Sequence, residues 1–295
     1  MPTFILSGFA DEISIDFDQQ LDGLRSLGIQ YIEVRMVDGK SIVEYACSEV
    51  RALKARLDAA GIRVSSVGSP IGKSLITDGF DACLSLFRHT LDIADILDTP
   101  YIRMFSFYIP KDGTRAQYRE EVLRRLKIFV AEAESRNITL LHENEAGIYG
   151  EGAESCADLF DSIPSKHFRA VFDPANFVFA GIEVFPFAYG LLKDRIHYLH
   201  IKDAIRKPDG IEITPAGEGG GKIAEVLKAL WDEGFSGFLS IEPHLHDVFT
   251  RQDVFTAYKA AKERGETGEA YVGDGLAQFK RAYDALDGIL KEVMA

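Results

Sequence analysis

Four residues that can bind a divalent metal each stand at the end of a short apolar run: Glu143, Asp173, His200 and Glu242. They lie roughly 25 to 45 positions apart, about the length of one strand-plus-helix unit. In a parallel barrel all strands point the same way, so residues at successive carboxyl ends converge on one mouth. Three carboxylates and an imidazole form a site suited to Mn²⁺, Mg²⁺, Co²⁺ or Zn²⁺. The spacing therefore predicts a metal-dependent enzyme on a (β/α)8 barrel.

The elements that would position these residues alternate along the whole chain, as expected of repeated βα units. Strands are predicted at residues 4–7, 31–35, 63–67, 101–105, 138–142, 168–172, 196–199 and 238–241. Helices are predicted at residues 16–27, 42–60, 78–97, 113–136, 152–163, 184–192, 223–233 and 276–293. A helical insertion at 248–264 follows the eighth strand, where a lid and an oligomer contact are both plausible roles. We expect one α/β domain spanning 1–295.

The composition limits the classes of partner and compartment. With 295 residues and 46% hydrophobic residues, the chain can fill a sizeable core. A net charge of −13 argues against a nucleic-acid partner, because phosphate contacts need a basic surface. Three widely spaced cysteines indicate reduced thiols. The start of the chain resembles no secretion signal, and no apolar stretch approaches the length of a membrane span. We expect a cytoplasmic protein without a membrane partner.

Each candidate ligand also has an ordinary structural explanation. The stretch Asp173-Pro174-Ala175-Asn176 is typical of a strand-to-turn junction, and a lone histidine in an apolar run such as His200 is commonly a packing residue. Lys202 and Asp203 follow His200 closely, which favours a ligand role. Ligand-type residues stand at the matching ends of four strands. One metal site explains all four positions, whereas the alternative needs a separate structural explanation for each.

The remaining polar residues near strand ends receive weaker assignments. His142 and His197 are expected to pack, whereas His244 and His246 would line the mouth or face water. A glycine-rich loop at 217–221 precedes a helix and can cradle an anion, although it lacks the pattern of a nucleotide site, and a flexible loop is the default. Other strand-end residues are candidates to shape the pocket: Glu33, Arg35, Ser66, Arg103 and Phe107. An aromatic rim for a sugar ring is expected from Phe9, Phe105, Phe107, Tyr108, Tyr149 and Phe177.

Five short motifs, taken in their order and spacing, resemble the sugar phosphate isomerase/epimerase superfamily. This superfamily contains the xylose isomerase-like barrels and AP endonuclease family 2, which includes endonuclease IV. The motifs are Leu141-His142-Glu143-Asn144, Phe172-Asp173-Pro174-Ala175-Asn176, Leu199-His200-Ile201-Lys202-Asp203, Gly217-Glu218-Gly219 and Ser240-Ile241-Glu242-Pro243. The resemblance covers essentially the whole chain.

The resemblance implies roles for individual residues. In ketose 3-epimerases of the superfamily, four strand-end residues bind one Mn²⁺ or Co²⁺, and the matching residues here are Glu143, Asp173, His200 and Glu242. The two glutamates would also serve as the acid/base pair. The candidate substrate contacts are Arg206, Lys202, Asn176, Glu145, Glu218 and Arg103. Related barrels commonly pair, so a homo-oligomer is possible.

The chain also departs from the epimerase pattern. Asn176 stands where the family often has a histidine, and Tyr149 stands where it has a second glutamate, with Glu145 closer to the first. The pair Lys202-Asp203 resembles the inosose dehydratase branch more than the 3-epimerase branch. The reaction and the substrate therefore stay open between an isomerase or epimerase and a dehydratase.

The expected mechanism begins with removal of a proton next to the carbonyl group of a sugar-like or cyclitol-like substrate. The metal would hold the carbonyl oxygen and a neighbouring hydroxyl group, Glu143 would be the general base, and Glu242 would return a proton from the other side. Lys202 or Arg206 would assist in holding the intermediate. Two other functions are less favoured: an endonuclease IV-like phosphodiesterase, which the negative charge and the few histidines oppose, and a non-catalytic sugar-binding barrel.

Overall fold

Eight short apolar segments form parallel strands arranged as a nearly closed barrel. A computed structural model of the chain describes residues 2–208, 210–245 and 275–295. The strands are β1 Thr3–Gly8, β2 Tyr31–Val34, β3 Arg63–Gly68, β4 Tyr101–Met104, β5 Thr139–Glu143, β6 Phe168–Phe172, β7 Ile196–Ile201 and β8 Ser236–Ile241. Their hydrogen-bonded order is β1-β8-β7-β6-β5-β4-β3-β2. The predicted (β/α)8 barrel is confirmed as a single-domain TIM barrel.

Most helices follow the predicted positions, but the helix Pro174–Ala180 forms where a turn was predicted. They are α1 Phe17–Ser26, α2 Cys47–Ala60, α3 Phe80–Leu97, α4 Arg115–Ser135, α5 Ala153–Ser162, α6 Pro174–Ala180, α7 Tyr189–Leu192, α8 Ile223–Asp232 and α9 Gly275–Val293. Local sequence explains several ends. The Asp16 side chain accepts a hydrogen bond from the backbone of Gln19 at the start of α1, and Thr114 does the same for Gln117 in α4. As predicted, α2 ends at Gly61, whose φ of 71° suits glycine.

Two predicted helices are interrupted. The segment predicted as one helix from Ile42 to Ala60 is a 3-10 turn, Ile42–Glu44, which extended residues separate from α2. The segment predicted as a helix from Val184 to Leu192 begins with a π-type turn, Val184–Ala188, in which Phe185 is extended, and only its end is α7. In both cases the backbone leaves helical geometry at a point that the apolar periodicity does not reveal.

Two regions predicted as loops are antiparallel hairpins. Met36–Val37 pairs with Lys40–Ser41 after β2, and Asp203–Lys207 pairs with Gly210–Thr214 after β7. The prediction that Arg206 lies in a loop is therefore wrong, because it is part of the first strand of the second hairpin. The strand Asp203–Lys207 has only two apolar residues, Ala204 and Ile205, and they are adjacent, so it shows no alternating pattern.

The last helix, predicted at 276–293, is confirmed as α9. The helical insertion predicted at 248–264, with His246 before it, lies outside the described residues. Within the described ranges no single helix is long and apolar enough to cross a membrane. One pair bent by 116°, residues 174–180 with 184–195, meets the length and composition criteria only when its two parts are joined.

The middle of the barrel is filled by a small layer of wholly buried side chains, Leu141, Val171 and Tyr198. Tyr101 and Phe238 pack against this layer. Successive side chains of a strand alternate between its two faces, so the residue two positions further along also points inward. On these strands that residue lies one layer nearer the carboxyl end. Strand alternation therefore directs the strand-end residues into the barrel mouth.

Candidate functional site

The four residues at the ends of β5 to β8 form one buried group. Glu143 ends β5, Asp173 follows β6, His200 lies in β7 and Glu242 follows β8. One potential ligand atom from each lies within 4.8 Å of the others, and all four residues are buried. Asp173 also caps α6, where its side chain accepts a hydrogen bond from the Asn176 backbone. The structure thus brings the predicted ligands together, and their binding of a metal stays a prediction.

The imidazole of His200 lies at the centre of this group. Its Nδ1 is 3.2 Å from Glu143 Oε1, 3.7 Å from Glu242 Oε2 and 3.9 Å from Asp173 Oδ2. No residue in the described ranges forms a hydrogen bond with this nitrogen. Burial lowers the pKa of His200, but Glu143 and Glu33 outweigh it and raise the pKa to about 10. A nitrogen facing three carboxylates needs a proton or a cation between them, which fits a metal ligand.

The charges around the group also favour a bound cation. Six carboxylates belong to one connected set of ion pairs: Asp11, Glu12, Glu33, Glu143, Asp173 and Glu242. Within the described ranges that set includes three side chains of permanent positive charge, Arg35, Arg103 and Lys202. Unpaired buried charge is costly, so a divalent ion would offset part of the excess.

Lys202 lies inside the group rather than at its edge. Its Nζ is 2.8 Å from Asp173 Oδ2 and 3.2 Å from Glu242 Oε2. Burial lowers the pKa of Lys202, but the two carboxylates outweigh it and raise the pKa, so the ammonium stays charged. Burial raises the pKa of Asp173 to about 6 despite Lys202. For Glu242, burial is outweighed by Lys202 and His244, and its pKa falls well below the usual range.

Glu143 is held by two residues predicted as substrate contacts. Asn176 Nδ2 donates a hydrogen bond of 3.1 Å to Glu143 Oε1, and Arg103 Nε lies 3.5 Å from Oε2. Burial raises the pKa of Glu143, but His200 and Arg103 outweigh it and lower the pKa to about 2. Both contacts orient the carboxylate, and Arg103 also helps to keep it ionised. The structure therefore places Asn176 and Arg103 directly against the group.

Glu242 is held by residues that follow β1 and β2, on the side of β8 away from Glu143. Arg35 Nη1 donates a hydrogen bond of 2.7 Å to Glu242 Oε1 and the same guanidinium pairs with Asp11 and Glu12. His244 Nε2 lies 3.3 Å from the same oxygen. Sequence reasoning missed Asp11 and Glu12. The signal was present, because both follow the carboxyl end of β1 and so belong to the same mouth.

Three predicted substrate contacts lie elsewhere. Arg206 is exposed and donates a hydrogen bond to a backbone carbonyl in the last turn of α6. Glu145 pairs with Lys73 at 2.8 Å, and Glu218, at the surface, lies 3.7 Å from Arg281 of α9. In these positions each has a protein partner outside the four-residue group. Their contact with a substrate stays a prediction.

The glycine-rich loop at 217–221 surrounds a carboxylate of the chain itself. Backbone N–H groups of Gly217, Gly219, Gly221 and Ala204 donate hydrogen bonds of 2.8 to 3.0 Å to the Asp203 side chain. A Cβ atom on Gly219 would lie 2.3 Å from Asp203 Oδ1. The anion that the loop cradles is therefore Asp203, and the close approach explains why the loop needs glycine.

Two other histidines have the packing roles expected of them. His142 is buried, its Nε2 is 2.9 Å from Ser106 Oγ, and burial lowers its pKa to about 3. His197 Nε2 is 3.0 Å from the hydroxyl group of Tyr101. Three members of the predicted aromatic rim belong to the hydrophobic core, Phe107, Tyr149 and Phe177. Phe9 instead packs edge-on against His200, with ring centroids 5.1 Å apart, and the Arg103 guanidinium lies 4.6 Å from the centre of the Phe105 ring.

Two further groups bring three potential ligands together, Glu12 with Glu242 and His244, and Cys47 with His89 and Asp92. In the first, Glu12 accepts a hydrogen bond from the His244 backbone and pairs with the ring. In the second, Asp92 is exposed and pairs with Arg136 at 2.6 Å. Asp92 and His89 thus have protein partners, since His89 Nε2 lies 2.9 Å from the Tyr45 carbonyl, whereas His200 Nδ1 forms no hydrogen bond within the described ranges.

The fold agrees with comparisons to known proteins. A family model described as xylose isomerase-like TIM barrel matches residues 21–281. The chain belongs to this family. The resemblance drawn from the five motifs is thereby confirmed. No curated protein sequence matches the chain significantly.

Several solved structures share this barrel at low sequence identity. The IOLI protein with a binding zinc atom is 15% identical, with a TM-score of 0.74 and coverage of 99% of each chain. D-allulose 3-epimerase from Methylomonas sp. in complex with D-allulose is 16% identical, with a TM-score of 0.71 and coverage of 99% of this chain and 98% of its own. The probable 3-DHS dehydratase AsbF from Bacillus anthracis is 16% identical, with a TM-score of 0.66 and coverage of 89% and 99%. These likenesses show the fold.

Proposed function

We propose that this protein is a divalent-metal-dependent isomerase or epimerase acting on a sugar-like or cyclitol-like ketone. The observation that carries the proposal is His200 Nδ1, which faces three buried carboxylates without a hydrogen-bond partner among the described residues. Family membership supports it, as do the zinc and the D-allulose in two structures of the same fold.

Glu143, Asp173, His200 and Glu242 would hold the ion. Carboxylate oxygens and one imidazole nitrogen suit Mn²⁺ best among the ions considered, with Co²⁺, Mg²⁺ and Zn²⁺ as alternatives. When bound, the ion would supply Lewis-acid polarisation of the substrate carbonyl group, which acidifies the neighbouring C–H bond. The protein's own residues would then carry the proton.

Glu143 would be the general base. Asn176 and Arg103 hold its two carboxylate oxygens in a fixed orientation, so the side chain meets the bound substrate from one direction. A base fixed in this way loses little entropy when it takes a proton from carbon. Arg103 and His200 keep Glu143 ionised, the state in which a base accepts a proton, while the low pKa that they produce weakens it as a base.

Glu242 would return the proton on the other face of the substrate. Strands β6 and β7 separate β8 from β5, so Glu242 and Glu143 approach from opposite sides of the group. Arg35 holds one Glu242 oxygen and Lys202 lies against the other. Return on the face opposite to removal inverts the carbon centre, as an epimerase requires.

Lys202 favours one second candidate, a dehydratase acting through the same first step. Its ammonium group contacts both Asp173 and Glu242 inside the site, where it could stabilise a leaving hydroxyl group. The probable 3-DHS dehydratase shares the fold. Both reactions begin with proton abstraction next to a carbonyl group, so one experiment separates them.

The deciding experiment incubates Mn²⁺-loaded protein with ketoses, aldoses and inososes in D₂O and follows substrate mass. Gain of deuterium by a substrate that loses no water supports the isomerase or epimerase. Loss of water from a substrate supports the dehydratase. Absence of both across the panel, repeated with Co²⁺, Mg²⁺ and Zn²⁺, contradicts the proposal.

Replacement of Glu143 by glutamine tests the base directly. Glu143→Gln should lower turnover by about 10²- to 10⁴-fold, because the amide cannot accept the proton. Glu120→Gln, at a side chain that is 87% exposed, is the matched control and should leave turnover unchanged. Near-normal turnover of a fully metal-loaded Glu143→Gln protein would remove Glu143 from the mechanism.

A further inference from the structure

Glu33 is a glutamate inside an apolar strand on the side of the barrel opposite the metal-binding candidates. It lies in β2 between Ile32 and Val34, and it is wholly buried. Its Oε1 has no hydrogen-bond partner in the described part of the chain, and Arg103 Nε is 3.9 Å away. Burial of a carboxylate in a barrel interior is costly, so its presence calls for an explanation beyond packing.

The other oxygen of Glu33 contacts His200. Glu33 Oε2 lies 3.2 Å from His200 Nε2, and both side chains are wholly buried. With a metal bound, the imidazole would be neutral and would have one N–H donor and one nitrogen whose lone pair binds the ion. A carboxylate accepts only, so Nε2 must donate to Glu33, and the lone pair is then on Nδ1. Nδ1 is the nitrogen that faces Glu143, Asp173 and Glu242.

Strand β3 has a bulge beside Glu33. The pairing of β2 with β3 changes register between Ile32 and Glu33, where Glu33 pairs with Ser66 and Ser65 is the extra residue. The Ser65 hydroxyl donates a hydrogen bond to the Ile32 carbonyl, and it also lies 2.9 Å from the hydroxyl of Tyr198. Bulges of this kind redirect side chains and are frequent beside functional sites.

We propose that Glu33 is the positioning residue that orients His200 for metal binding and strengthens the bond that its Nδ1 makes. This inference rests on the proposed function, and it names a residue outside the four ligands. A carboxylate on the far nitrogen of a ligating histidine fixes the ring and raises its basicity. Strand β2 thus contributes to the metal affinity although none of its residues belongs to the four-residue group.

A purely structural role for Glu33 makes a different prediction. If Glu33 only neutralises Arg103, its replacement would change the free energy of unfolding and leave the metal affinity of the folded protein unchanged. If Glu33 positions His200, the metal affinity falls even in a variant that folds as well as the original chain. Metal affinity of folded protein is therefore the measurement that separates the two roles.

The experiment measures Zn²⁺ affinity by competition with a chelator for the full chain, Glu33→Gln and Glu33→Ala. Glu33→Ala should bind Zn²⁺ about 10- to 100-fold more weakly. Glu33→Gln should lose less Zn²⁺ affinity than Glu33→Ala. Its amide oxygen has no charge but can still accept the hydrogen bond from His200 Nε2. Asp158→Asn is the control: its carboxylate pairs with Arg119 on the outer helices, and its Zn²⁺ affinity should be unchanged.

Circular dichroism and thermal unfolding of the metal-free proteins establish that each variant is folded. If Glu33→Ala does not fold, the glutamine variant carries the test, because it keeps the size of the side chain. Unchanged Zn²⁺ affinity in a folded variant would overturn the role of Glu33 while leaving the metal site intact. Failure of the unaltered chain to bind Zn²⁺, Mn²⁺, Co²⁺ and Mg²⁺ would instead overturn the proposed metal-dependent function, together with this inference.

Discussion

Two buried aspartates near the same end of the barrel have opposite surroundings. Asp203, one residue beyond Lys202, accepts hydrogen bonds from four backbone N–H groups, so both of its oxygens are satisfied. Asp173 accepts one from the Asn176 backbone, while its Oδ2 forms an ion pair with Lys202 at 2.8 Å and lies 3.9 Å from His200 Nδ1. A buried carboxylate satisfied by backbone holds a loop in place, whereas one left facing other charged side chains is available to a ligand.

The largest expected effect follows replacement of Asp173, the aspartate that faces charged side chains. Asp173→Asn keeps an oxygen for the Asn176 backbone but removes a charge from the ligand group. We expect Mn²⁺ affinity, measured by calorimetry, to fall more than about 100-fold, beyond the loss typical of an outer partner. Unchanged Mn²⁺ affinity would remove Asp173 from the ligand set and would break the contrast with Asp203.

The same substitution at the satisfied aspartate should affect folding instead. Asp203→Asn leaves N–H groups of the loop facing an NH₂ group, so we expect urea unfolding to show a loss of about 1–3 kcal/mol. Mn²⁺ affinity should stay within about threefold of the original value, because backbone donors account for both oxygens of Asp203. A fall in Mn²⁺ affinity as large as that of Asp173→Asn would show that the two aspartates belong to one site.

The loop around Asp203 can be tested through its glycines. Gly219→Ala brings a Cβ atom to 2.3 Å from Asp203 Oδ1 and should cost about 1–2 kcal/mol of unfolding free energy. Gly190→Ala is the matched control, since Gly190 lies in α7 and no described atom is within 4 Å of its added Cβ. The control should be neutral or stabilised by less than about 1 kcal/mol. Equal effects would argue against a tight loop.

The smallest effect is expected at a satisfied carboxylate near the surface. Asp158 accepts hydrogen bonds from Arg119 and Tyr149, and Arg119 lowers its pKa although burial opposes the shift. Its contribution is therefore complete above the ordinary pKa of about 4 and is lost as the pH falls below it. In metal-free protein, Asp158→Asn should be less stable by under about 1 kcal/mol at pH 7.

Comparison of urea unfolding at pH 7 and pH 3 checks the sign of this effect. The stability difference between the original chain and Asp158→Asn should shrink at pH 3, because protonation removes the charge from the original aspartate. A difference that is equal at both pH values would show that the ion pair with Arg119 contributes nothing. In that case, of the two kinds of carboxylate contact compared, only the backbone hydrogen bonds of the kind made to Asp203 would contribute to the free energy of unfolding.

The barrel and the convergence of the four candidate ligands could be predicted because they depend on local patterns. Apolar runs of strand length define the strands, and parallel strands place their carboxyl ends together. The interior direction of Glu143 follows from its position two residues after Leu141, since strand side chains alternate. These inferences need only neighbouring residues and one general property of the fold.

The partners of the site residues could not be predicted in the same way. The donors to Asp203 are backbone groups of a loop 14 to 18 positions later, which no side-chain pattern marks. The contact of Glu33 with His200 joins residues 167 positions apart on strands that are not neighbours in the sheet. Arg206 was predicted in a loop because a short hairpin leaves little periodic signal.

The sequence by itself determined the eight-stranded barrel and the set of four residues that meet in its mouth, because strand length, alternation and parallel direction leave one arrangement for them. Only the tertiary structure decided which charges are satisfied and which are left facing one another. That distinction depends on distances of a few ångströms between side chains and backbone groups far apart in the chain. It separates Asp203, which stabilises a loop, from Asp173, which faces His200 and Lys202.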